Sequence, residues 1–160
     1  MMKKLLTVIF ILIIVGALIY IFMGNEKYKP SYTPQQNLNA PIEIPSEAII
    51  TMEEANNSTK PQVVMFYVDW CGYCRKFMPK FGDYANKYSD KYSFVVVNAD
   101  IPENKPLMEE YHIMGFPSLF IVDKEINHKF SMHPAVTVNE NIMTEELDSY
   151  LSVKDKIKNN

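Results

Sequence analysis

The hydrophobic positions of this chain fall into three kinds of run, and each predicts a different element. The longest is uncharged and extends from Leu5 to Met23. It approaches the ~20 apolar residues that a bilayer-spanning helix needs. The second kind is short and nearly unbroken: Gln62 to Val68 (QVVMFYV), Tyr92 to Asn98 (YSFVVVN) and Ser118 to Val122 (SLFIV). Runs of this length, rich in β-branched and aromatic residues, predict strands, the first of them a central one buried on both faces and the second also buried. The third kind is periodic. Phe77, Phe81, Tyr84, Ala85 and Tyr88 share one helical face, which predicts a helix from Cys74 to Tyr88 with Pro79 kinking it.

Shorter signals fill the gaps. Ala48-Ile49-Ile50 is a brief apolar stretch, and Thr51-Met52-Glu53-Glu54 fits a capping box that opens a helix to about Asn57. Asp100 to Pro106 reads as a loop leading to a short helix through Tyr111. Asp123-Lys124 marks a turn, and Asn127 to Ser131 is its hairpin partner. Met132 to Asn139 is irregular, and Asn141 or Thr144 caps a last helix running to about Val153. The order β-α-β-α-β-α-β-β-α predicts an α/β sheet with both parallel and antiparallel strands.

The first forty-five residues stand apart from that pattern. Residues 1–4 form a short basic stub, and residues 5–23 are expected to be an uncleaved transmembrane signal anchor. A cleaved signal peptide has a shorter apolar core than this one. Residues 24–45 hold Pro30, Pro34, Pro41 and Pro45 without helical periodicity, and read as an extended spacer. Residues 46–154 are the globular domain and residues 155–160 a tail. Lysines flank the anchor on both sides, Lys3 and Lys4 against Lys27 and Lys29, so the positive-inside count is close to a tie. The short basic stub and a cysteine pair suited to oxidising compartments place the domain outside the cytosol.

Composition adds one large fact. A net charge of -3 with no basic stripe gives no footing for a nucleic-acid partner. The chain has 2 cysteines, Cys71 and Cys74, in Trp70-Cys71-Gly72-Tyr73-Cys74. A lone pair at this spacing is a redox centre, half of a metal site or an accident of packing. Structural zinc needs four ligands with a second close pair, which His112, His128 and His133 do not supply.

With these residues in view, the region from about Ser46 to Lys154 resembles the thioredoxin-like fold. The resemblance rests on QVVMFYV leading into Asp69-Trp70-Cys71-Gly72-Tyr73-Cys74, on Pro79, on Val97-Asn98-Ala99-Asp100, and on Tyr111-His112-Ile113-Met114-Gly115-Phe116-Pro117-Ser118. It implies a three-layer α/β/α domain with a mixed central sheet. The interval from Cys74 to Pro117 has no room for the inserted helical domain of the DsbA oxidases. The Gly-Tyr dipeptide is like that of the DsbC isomerases, but the spacer is too short for their dimerisation domain.

The resemblance also assigns roles. Cys71, at a helix N-cap, is the expected nucleophile, because helix N–H groups stabilise a thiolate. Cys74 is the resolving thiol. Pro117 is expected to be cis, with the Phe116 backbone pairing to an incoming peptide and Trp70, Gly72 and Tyr73 completing the contact surface. Met114 and the His133-Pro134 loop extend the rim. No cofactor beyond the Cys71–Cys74 pair is implied. The family's buried aspartate and its lysine partner are replaced by Met65 and Val96, and Asp69 is expected to face solvent. The implied function is a membrane-anchored, extracytoplasmic thiol–disulfide oxidoreductase acting on cysteines of exported proteins, served by a membrane electron donor or acceptor. A thioredoxin-like holdase and a cytosol-facing reductase are the competing readings, and the direction of electron flow stays open.

Overall fold

The computed structural model describes residues 40–158 and the single residue Ile14. Among these described residues no helix is long and apolar enough to cross a membrane. The stub expected at 1–4, the rest of the anchor expected at 5–23, and the spacer as far as residue 39 lie outside them.

The domain follows the predicted order. The elements are β1 (Ile49–Ile50), α1 (Met52–Asn56), β2 (Gln62–Tyr67), α2 (Gly72–Tyr88), β3 (Ser93–Asn98), α3 (Lys105–Glu110), β4 (Ser118–Asp123), β5 (His128–Ser131) and α4 (Glu140–Lys158). Short 3-10 turns at Pro102–Asn104 and Pro134–Thr137 precede α3 and α4. The strands form one five-stranded sheet in the order β1-β3-β2-β4-β5. β2 lies parallel to β3 and antiparallel to β4, and β5 closes the edge as an antiparallel hairpin partner.

Every residue of β2 is buried, as a continuous apolar run requires of a central strand. Alternate side chains feed two separate cores. Val63, Met65 and Tyr67 pack with Phe77, Phe81, Met143 and Leu147 beneath α2 and α4. Val64 and Phe66 join Ala55, Val95 and Val97, with Leu107 and Tyr111 from the α3 region packed against them. The sheet is therefore a middle layer with helices on both faces.

Local signals explain the boundaries. The capping box forms as expected, with Thr51 accepting from the Glu54 amide and Glu54 reaching back to the Thr51 amide. α2 starts earlier than the periodicity suggests, because Cys71 itself is the N-cap, and it continues through Pro79. α4 begins at Glu140, where Asn139 Oδ1 accepts the Asn141 amide at 3.0 Å. The cap is therefore Asn139 rather than Asn141 or Thr144. The helix also runs past Val153 and takes in most of the expected tail, because Lys154 anchors it.

That anchor is a buried ion pair. Lys154 Nζ meets Asp123 Oδ2 at 2.7 Å and Glu125 at 3.0 Å, with Lys154 and Asp123 both nearly enclosed. The Tyr150 hydroxyl also donates to Asp123. Burial pushes the Asp123 carboxyl up, but hydrogen bonds from Lys154, Tyr150 and the Glu125 amide outweigh it and hold it below the usual range. Burial lowers Lys154 in turn, and the same carboxylates outweigh that and raise it. The Asp123 contribution is thus present above the unfolded carboxyl value and lost as pH falls through the depressed one. The Lys154 contribution is lost only as pH rises through its raised value. Lys154→Ala removes the cation and leaves the buried Asp123 charge with the Tyr150 hydroxyl and the Glu125 amide alone, which is expected to cost about 3 kcal/mol at neutral pH. Urea unfolding at pH 7 and pH 3 checks this, the loss shrinking at pH 3 as Asp123 protonates.

The last part of the expected spacer belongs to the domain. Ile42 is buried in the α2-side core. Pro45 packs on α2 so closely that a Cβ on Gly82 would come within 2.6 Å of its ring. Residues 40–45, read above as the end of the spacer, therefore pack on the domain, because they have apolar and hydrogen-bonding partners in α2.

Candidate active site

β2 runs straight into the site. Its last residue, Tyr67, is followed by Val68-Asp69-Trp70, and the Cys71 amide closes this turn by donating to Val68 O at 3.2 Å. Cys71 stays extended (φ -78, ψ 108) and serves as the N-cap of α2. Its Sγ accepts the Cys74 amide at 3.1 Å. That geometry places a helix N–H on the sulfur, the arrangement that favours a thiolate when the pair is reduced.

Cys71 and Cys74 form a disulfide with Cα atoms 5.2 Å apart. The two sulfurs are not equivalent. Cys71 retains 7% exposure and Cys74 none. An incoming thiolate can therefore reach only the first, which fits Cys71 for attack and Cys74 for resolution from within the core.

The opposite wall comes from the chain before β4. The Phe116–Pro117 bond is cis, and the Phe116 carbonyl oxygen lies 3.6 Å from Cys71 Sγ. His112 takes a left-handed conformation (φ 51) just past α3 and turns the chain toward this segment. Trp70 stands edge-on to Phe116 with ring centroids 6.3 Å apart. Its indole N–H donates to Asp100 Oδ1 at 3.3 Å. Trp70 is 59% exposed, Tyr73 70% and Met114 98%. The redox pair thus opens onto an apolar rim. Gly72 meets nothing within 4 Å of where a Cβ would stand, so no close approach demands a glycine there. The His133-Pro134 loop is held to α4 through Glu146, which accepts the His133 amide at 2.9 Å.

Two expectations about carboxylates separate here. Met65 and Val96 do face each other, as direct partners in the β2–β3 register. Met65 is fully enclosed in the same core as Cys74, so no ionisable pair stands at that position. Asp69, expected to face solvent, instead turns inward and is half-buried. Its Oδ1 accepts the Ile42 amide at 2.7 Å and its Oδ2 the Asn98 side chain at 3.0 Å. Asp100 completes the support by accepting the Asp69 amide at 3.2 Å. Burial raises the neighbouring Tyr67 hydroxyl, and the Asp69 charge adds to the effect.

Ile42, Asn98 and Asp100 are supports to which sequence reasoning gives no role. Asn98 and Asp100 enter there only as part of a resemblance, and Ile42 falls in an apparent spacer. Among the described residues no three metal-binding side chains gather around the pair or elsewhere.

Comparison with known proteins agrees with this geometry. The chain is 36% identical over 77 residues to the thioredoxin-like protein HCF164, chloroplastic, of Arabidopsis thaliana, covering 48% of this chain and 30% of that protein. It is 36% identical over 76 residues to protein disulfide-isomerase 1 of Dictyostelium discoideum, covering 46% and 21%. The chain thus spans less than a third of the length of these relatives. The crystal structure of the germline-specific thioredoxin Deadhead from Drosophila melanogaster shares the fold, with a TM-score of 0.51 at 24% identity over 63% of this chain and 95% of that one. The family model for thioredoxin matches residues 51–145, which takes in the disulfide, the cis-proline segment and all five strands but the first, and the chain belongs to the thioredoxin family.

Proposed function

We propose that this protein is a membrane-anchored thiol–disulfide oxidoreductase whose redox domain faces an extracytoplasmic space. One observation carries the chemistry: the Cys71–Cys74 disulfide caps a helix beside cis-Pro117, with only Cys71 reachable from solvent. In the oxidising direction a substrate thiolate attacks Cys71 Sγ. The Cys71–Cys74 bond breaks, Cys74 leaves as a thiolate, and a mixed disulfide forms. A second substrate thiolate then displaces Cys71, so the substrate gains a disulfide and the protein keeps both electrons. The reducing direction is the reverse, with Cys74 expelling the reduced substrate from Cys71.

The anchor rests on the apolar run from Leu5 to Met23, and the compartment on the short basic stub before it and the cysteine pair. Cysteine-bearing exported proteins are the substrates this arrangement fits, with a membrane protein as donor or acceptor of electrons. Paired reporter fusions after Asn160 test the topology in a bacterial host. Alkaline phosphatase, which needs export to fold, is expected to be active and β-galactosidase inactive. The opposite pattern would place the domain in the cytosol and overturn the compartment, while leaving the exchange chemistry standing.

A further inference from the structure

The strap at Ala40–Pro45 is not a passive lead-in. It lies outside the stretch matched to the thioredoxin family, which begins at residue 51. It nevertheless follows α2 along its length. Ser46 Oγ donates to Asn86 Oδ1 at 2.6 Å near the end of the helix, and Pro45 sits on Gly82. Ile42 reaches Asp69 just before the cysteines, and Ala40 O accepts from the Arg75 guanidinium just after them. Two backbone groups of the strap thus grip the residues on both flanks of the redox motif.

We propose that Asp69 is a positioning residue for Cys71 and that the strap, through the Ile42 amide, is what fixes it. The inference rests on the exchange chemistry proposed above. The turn from Val68 to Cys71 is held at residue 69 from two sides. Asp100 takes its amide, while Ile42 and Asn98 donate to its carboxylate. That turn aims Cys71 Sγ at the Cys74 amide. Releasing the Ile42 donor has two consequences of the same sign. The turn loosens, so the sulfur loses its aligned N–H. The Asp69 charge also loses one of its two donors, so its field at the sulfur grows. Both act against the thiolate form of reduced Cys71 and shrink the thiolate fraction. The other ionisable groups around the turn are Tyr67 beneath it, Asp100 past β3, and Tyr73 and Arg75 on α2. The wall before β4 contributes Met114, Phe116 and a carbonyl.

Ile42→Pro tests this directly, because it deletes one N–H and leaves Asp69 in place. A proline at 42 pushes the residue before it toward the extended region, which Pro41 adopts in any case. Ile42→Ala is the control, since it keeps the N–H and trims the packing. Both are made in the full chain in detergent, and two quantities are read. One is the rate of insulin disulfide reduction by the dithiol form. The other is the pH midpoint of Cys71 alkylation by iodoacetamide. Ile42→Pro is expected to slow exchange about three- to tenfold and to raise the midpoint, with Ile42→Ala within about twofold of the parent. An Ile42→Pro chain with the parent's rate and midpoint overturns the proposal, as does an Ile42→Ala chain just as slow. Amide exchange at Ile42 in the unmodified chain decides the matter independently of any variant. Protection at least tenfold above an unstructured peptide is expected, and an unprotected amide overturns the strap. A parent chain without exchange activity would instead remove the proposed function, and the Ile42 amide would still report on the strap.

Discussion

Cys74→Ser is expected to trap substrate on Cys71 as a stable mixed disulfide, while Cys71→Ser reduces exchange by at least about a thousandfold and traps nothing. The asymmetry follows from where the two sulfurs sit. Cys71 keeps its exposure and its N–H from residue 74, whereas Cys74 is sealed in the core. Attack begins at the reachable sulfur, and only the buried one stands close enough to resolve the adduct. Without it, the mixed disulfide waits for an external thiol. Non-reducing electrophoresis of membranes from cells making Cys74→Ser reads the adducts, and mass spectrometry of the bands names the partners. Equal trapping by both serine variants would contradict the assigned roles. Adducts made up of cytosolic proteins would contradict the compartment.

Much of this site is legible without the fold, and the reason is local. A strand buried on both faces must read as an apolar run, so β2 and most of β3 announce themselves, and β4, with alternate residues buried, still shows a short apolar run. The cysteines follow β2 at once, and Pro117 precedes β4. What the sequence hides depends on backbone groups and long-range contacts. The strap reads as a spacer because alanine and proline show no periodicity, and its ties are an amide at Ile42 and a carbonyl at Ala40. No side-chain pattern records such groups. Asp69 reads as solvated because its acceptor role depends on Asn98, which is brought alongside only when β2 and β3 pair. The start of α4 is hidden for a different reason. Asn139, Asn141 and Thr144 are all competent caps, and the choice falls to Asn139 because the preceding 3-10 turn ends at Thr137 and the helix starts at Glu140.

The apolar pair behind the disulfide, Met65 and Val96, is also legible, and an ionisable pair put in its place has a measurable cost. Met65→Asp places a carboxylate at a fully enclosed position whose strand partners, Val96 and Leu119, supply no cation. An unpaired buried charge of this kind is expected to cost about 3–5 kcal/mol at pH 7. Burial raises such a carboxyl in the folded state above its unfolded value of ~3.9. The folded state then holds the proton more tightly, so the penalty grows as pH rises through that window and is relieved below it. Urea unfolding at pH 7 and pH 3.5 therefore separates charge burial from simple loss of methionine packing, which does not vary with pH. Val96→Lys in the same chain supplies the missing cation from the neighbouring strand. Val96 is half-buried, so an ammonium there reaches both the introduced carboxylate and water without full desolvation. The double variant is expected to recover about half of the neutral-pH loss, and a double-mutant cycle isolates that coupling. Residue 65 lies in the core that holds Cys74, so the double variant is also expected to resolve mixed disulfides faster near neutral pH, by roughly tenfold at most, with the new carboxylate taking the Cys74 proton. Additive single effects would show instead that the two strand positions do not communicate.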